Sequence, residues 1–110
     1  MSVEILGTEY LILKQVPESD LPDNADGCID HTRKVIKIGQ VQQEADTVAD
    51  IGQYLKQVLR HEIIHGFLYE SGLYTDSHYS DAWATDEELI DWIAIQSPKI
   101  FKAFERAGCL

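Results

Sequence analysis

In the stretch RHEIIHGFLYESGLY, two histidines, His61 and His65, stand four residues apart with Glu62 between them. On a helix, positions i and i+4 lie one above the other. The two imidazoles would therefore leave the same face at a separation that suits two corners of a tetrahedral zinc site. Glu62 is turned away by roughly a hundred degrees, so its carboxylate stands beside the pair, where it can take a proton from a water acidified by the metal and later return it to a leaving amine. The residues thus predict a hydrolytic zinc centre with His61 and His65 as ligands and Glu62 as general base. Val58, Leu59, Ile63, Ile64, Phe67 and Leu68 surround the motif, which predicts a buried central helix where an unpartnered His-Glu-His set would be costly. The plainer alternative is a metal-free helix with a fortuitous motif, His65 being an ordinary hydrogen-bonded histidine.

A hydrolytic zinc site wants a third protein ligand and an open fourth position. The extended pattern with a third histidine six residues after the second is absent, because Ser71 stands there. The candidates are Glu87, Glu88, Asp91, His78, Asp76 and Asp81. Glu88 follows Thr85 by three residues and is better explained as the reciprocal partner of a capping box. Glu87, Ile90, Asp91 and Ala94 recur at three- and four-residue steps on one face of the same predicted helix, which aims Glu87 and Asp91 together at the motif helix. Glu87 is the favoured ligand, with Asp91 one turn on to accept a hydrogen bond from a ligand histidine. Tyr69, Tyr74 and Tyr79 could polarise a carbonyl, although tyrosines in such places usually serve packing.

The elements that must position these groups fall into two halves. Val3–Leu6, Tyr10–Val16, Cys28–His31 and Val35–Ile38 are rich in β-branched residues and bounded by turn formers, so they predict a small antiparallel sheet. Between them, 17–27 carries two prolines, a glycine and several acids and amides and reads as a loop; 31–34 fits a hairpin tip. From about Glu44 the apolar period becomes helical, through Val48, Ile51, Leu55 and Val58 to Tyr69, with Gly52 allowing a start nearer Tyr54 and Ser71-Gly72 as the stop. After a linker, 73–83, Thr85 opens a helix to about Gln96. Ser97 and Pro98 open another, which Gly108 ends. Strands first and helices afterwards, without βαβ alternation, predict an α+β fold with helices on one face of the sheet.

The 110 residues suit a single compact domain, 45% of them hydrophobic, which is enough for one core. Nine basic against nineteen acidic side chains give a net charge of −10, a field that repels phosphate backbones, so nucleic acid is a poor partner. Cys28 and Cys109 have no ligand-type spacing and suit reduced thiols of a cytoplasmic protein. No apolar run is long enough for a membrane span, and no leader pattern opens the chain.

Beyond these residue-level readings, VLRHEIIHGFLYESGLY resembles the HExxH helix of the small metallopeptidase-like domains of phages and prophages related to the ImmA/IrrE group of zinc peptidases. DEELIDWIA is similar to their downstream acidic helix, and GCIDHTRKVIKI more loosely to their amino-terminal hairpin, so the likeness spans nearly the whole chain. It implies a compact α+β domain with one zinc ion, His61 and His65 as ligands, Glu62 as general base and Glu87 as the third ligand. Fuller members continue the acidic helix with an alanine, an asparagine and a phenylalanine where this chain has LIDWIA. Their added DNA-binding or sensor region has no counterpart here. The function expected is hydrolysis of a peptide bond in a protein substrate. The alternative is a non-catalytic accessory module in which zinc braces two helices.

Overall fold

The computed structural model describes residues 1–41, 50–76 and 83–110. Four strands, β1 (Ser2–Ile5), β2 (Thr8–Val16), β3 (Gly27–Asp30) and β4 (Val35–Gly39), precede three helices, α1 (Ile51–Glu70), the single turn α2 (Leu73–Asp76) and α3 (Glu87–Ala107). The strands form one sheet in the order β1-β2-β4-β3, and the α+β class expected from the element order is the one that forms.

The sheet is mixed rather than antiparallel. β1 and β2 form a hairpin, as do β3 and β4, but the central pair, β2 and β4, runs parallel, with Leu11 opposite Val35 and Leu13 opposite Lys37. The long stretch between β2 and β4, which includes β3, gives the chain room for the crossover that parallel pairing requires. Alternating apolar residues decide which face is covered. Ile5, Tyr10, Ile12, Ile36 and Ile38 are buried, and Val3, Ile29, Leu55, Val58, Leu59 and Ile63 pack against them. Leu11 and Leu13, pointing the other way, stay exposed.

Helix α1 lies on the covered face and comes unusually close to it at Gly66. A Cβ there would sit 2.6 Å from Ile5 Cδ1 and 3.3 Å from Ile29 Cδ1. The glycine beside His65 therefore sets the height of the motif above the sheet. Asp50 caps α1, its carboxylate accepting from Gln53 N–H at 3.1 Å, and the helix closes at Ser71-Gly72 as expected, with Gly72 at φ 87°. An earlier start at Glu44, with Val48, lies outside the described residues. The helix is half-buried rather than enclosed: of its residues only Glu62 and Gly66 are fully buried, and Phe67 is exposed.

Two local expectations for the last helix are corrected. Asp86, not Thr85, caps it, accepting from Glu88 N–H and Leu89 N–H at 3.0 and 3.2 Å, so Glu88 is no capping-box partner. The helix also runs through Pro98 without a break. A proline lacks the N–H that would bond the carbonyl four residues back; here that carbonyl, on buried Ala94, accepts instead from Arg60 Nε of α1 at 2.6 Å. No helix among the described residues is long and apolar enough to cross a membrane.

Candidate metal centre

Helices α1 and α3 face each other across the motif and bring His61, His65 and Glu87 to one point. His61 Nε2 is 2.9 Å from Glu87 Oε2, His65 Nε2 is 3.2 Å from the same oxygen, and the two Nε2 atoms are 3.1 Å apart. These are the edges of a triangle of possible ligand atoms. His61 Nδ1 lies 3.2 Å from Asp91 Oδ1, and in the tautomer that donates Nδ1–H to that carboxylate Nε2 keeps a lone pair for an ion. With both Nε2 atoms unprotonated, three lone pairs would converge on the one point where a cation can stand. The edges are close to the ~3.3 Å that a tetrahedral site with Zn–N distances of ~2.0–2.1 Å would give, and two imidazoles with one carboxylate are the donor set of a hydrolytic zinc centre. Among the described residues these three form the one group of histidine, cysteine and acidic side chains with metal-site spacing.

The surroundings separate the roles. The His61 and His65 side chains are 18% and 14% exposed, whereas Glu87 is 68% exposed, so the triangle is closed on the sheet side and open on the other. Glu62 is buried and borders the same cleft. Burial holds its carboxyl well above the usual carboxylate range; His61 pulls it down and Glu87 pushes it up further. A carboxylate raised in this way is a stronger proton acceptor. Burial pushes the His65 imidazole down, opposed by Glu87.

The cleft is about 710 Å³ and runs along α1, walled by the loop before β3, by β3 itself and by Glu87 and Asp91 of α3. Asp26, Glu62, Glu87 and Asp91 line it, with no lysine or arginine among its described lining residues, a field that favours a cation. Cys28 also borders it, but burial and then Glu62 push its thiol up, away from the thiolate that nucleophiles and ligands need. Both cysteines are free.

Of the other candidate ligands, Glu88 is exposed and outside the group. His78, Asp81 and the side chain of Asp76 lie outside the described residues, as does Tyr79. Tyr74 borders the cleft, whereas Tyr69 stacks on His31 with ring centroids 4.2 Å apart and planes 3° from parallel. His31, read from sequence only as part of a hairpin tip, also lines the cleft. Neither period nor spacing connects it to the motif; its place depends on the β3–β4 hairpin folding over α1.

No family model matches this chain, and no curated protein and no solved structure matches it. The functional reading therefore rests on the geometry above and on the residues of its motifs.

Proposed function

We propose that this chain is a zinc-dependent peptidase domain of the phage and prophage type related to the ImmA/IrrE group, hydrolysing a peptide bond in a protein substrate. The observation that carries this reading is the convergence of His61, His65 and Glu87 beside buried Glu62 at an open cleft. His61, His65 and Glu87 would hold the ion, and Asp91 orients His61. Bound zinc supplies an acidified water and a Lewis acid for the carbonyl. Glu62 takes the proton from the attacking water on its carboxylate and passes it to the amine as the peptide bond breaks. Among the described residues β3 is an outer strand of the sheet and borders the cleft, an edge that suits pairing with an extended peptide. The free thiols of Cys28 and Cys109 favour action in the host cytoplasm.

The test is elemental analysis of purified protein together with cleavage of unfolded casein. Wild type should carry close to one zinc, and His65→Ala and Glu87→Ala should lose it. Glu62→Gln should keep the zinc and cleave at least a hundredfold more slowly. Stoichiometric zinc with no cleavage, in a protein that unfolds on chelation, would instead identify a zinc-braced accessory module. A folded wild type that takes up no zinc would leave the motif as a buried helix.

A further inference from the structure

The sequence motif leaves one histidine of the cleft unused. Gly27 of β3 sits against Val58, and Ile29 against Gly66. β3 therefore runs beside α1 in the same direction, passing His61, Glu62 and His65 in turn. His31 follows directly and reaches Tyr69, so it closes the cleft at the end beyond His65. It stands outside the triangle of metal-site atoms.

Three features fix this side chain more firmly than a hairpin tip needs. The turn that carries it is tied down by Asp30, whose Oδ1 accepts from Thr32 N–H, Thr32 O–H and Arg33 N–H at 3.0, 2.7 and 3.0 Å. The ring lies flat on Tyr69, with Tyr74 tilted against it at 5.5 Å. Its Nδ1 atom is buried without a hydrogen-bond partner among the described residues. A proton on Nδ1 would be a sealed donor with nothing to donate to, so the favoured tautomer carries the proton on Nε2. The result is an imidazole stacked on Tyr69 at the end of the cleft, kept neutral by burial, with one N–H to give.

Building on the peptidase reading, we infer that His31 is a catalytic residue whose Nε2–H donates to the scissile carbonyl oxygen as that oxygen gains negative charge. A donor fixed in advance needs no reorganisation when the charge develops, and removing one such donor typically slows an acyl transfer by about 10²–10³-fold. No proton leaves His31 in this role: the attacking water's proton still goes to Glu62 and from there to the amine.

The decisive variant is His31→Phe, which keeps the stack on Tyr69 and removes only the donor; His31→Gln restores an N–H. The probe is acetohydroxamate, a small mimic of the reacting carbonyl, titrated calorimetrically into zinc-loaded protein alongside zinc analysis and thermal melts. His31→Phe should keep its zinc and its melting temperature while binding at least fivefold more weakly, with part of the affinity returning in His31→Gln. Tyr74→Phe should bind like wild type. Wild-type affinity in His31→Phe, a loss confined to Tyr74→Phe, or no binding to zinc-loaded wild type would each overturn the role of His31. Loss of zinc in His31→Phe would make it a ligand and overturn the role too. The peptidase reading fails separately, through absent zinc or through Glu62→Gln cleaving like wild type.

Discussion

Glu70 shows how much of this fold is fixed by single polar groups. At the last turn of α1, its Oε1 accepts from Thr8 O–H at 2.9 Å, and its Oε2 accepts from Tyr10 O–H at 2.7 Å and from Lys34 at 2.8 Å. One carboxylate thus ties α1 to β2 and to the β3–β4 hairpin, the piece that carries His31. Lys34 and then Tyr10 hold its carboxyl down at about 2, against burial. An unfolded glutamate titrates near ~4.3, so the folded state binds the proton less tightly than the unfolded one. The stabilisation is complete above the unfolded value and is lost as pH falls from there through about 2. Glu70→Gln should therefore melt below wild type at pH 7, and the gap should close between pH 4 and pH 2. A gap of constant size across that range would show that the group contributes by shape rather than by charge. Legibility differs in kind at this scale. His61, Glu62 and His65 could be read directly because four residues along one helix are a local relation. Glu87 and Asp91 needed only the assumption that a second helix turns one face inward. His31 and Glu70 are held by partners more than thirty residues away, at Tyr69, Tyr10 and Lys34, and no spacing announces them.

Helix α3 makes the same distinction between local signals and their tertiary correction. Ser97-Pro98 is a sound helix start by local rules, and Thr85 with Glu88 is a sound capping box; neither acts as one. Asp86 outcompetes Thr85 for the free N–H groups, and Arg60 supplies what Pro98 removes. The parallel pairing of β2 with β4 was hidden for a related reason, since neighbouring strands in sequence suggest hairpins and the crossover is visible only once the sheet is assembled. The Arg60 bond has a measurable consequence. Arg60→Ala leaves the carbonyl of buried Ala94 without its partner, which should cost about 1–3 kcal/mol in denaturant unfolding. With Pro98→Ala the helix regains its own N–H for that carbonyl, so Arg60→Ala should then cost clearly less. A coupling of ~1 kcal/mol or more between the two sites is expected from the double-mutant cycle; additive effects would mean that Arg60 acts on α3 through packing alone.

The whole molecule is a two-layer domain in which the layers are not equally secured. The sheet holds α1 through a continuous apolar core, whereas α3 packs chiefly on α1, through buried Ile90 and Ala94, the Arg60 bond and the cluster of His61, His65, Glu87 and Asp91. Within that cluster His61 Nε2, His65 Nε2 and Glu87 Oε2 lie 2.9–3.2 Å from one another, a spacing that one cation can bridge. Zinc bound there would add a clamp between α1 and α3. Ligand that binds only the folded state stabilises by RT ln(1 + [L]/Kd), about 2.7 kcal/mol at a hundredfold excess over Kd. The gain should be unevenly distributed. Amide exchange along the first two turns of α3 should slow by more than tenfold on adding zinc to chelator-treated protein, while exchange in β2 and β4 changes only as far as global stability does. In Glu87→Ala the same zinc should leave α3 unprotected. Equal protection of α3 with and without metal would mean that the apolar contacts alone fix the helix, and that His61, His65 and Glu87 meet as a consequence of packing rather than to hold an ion.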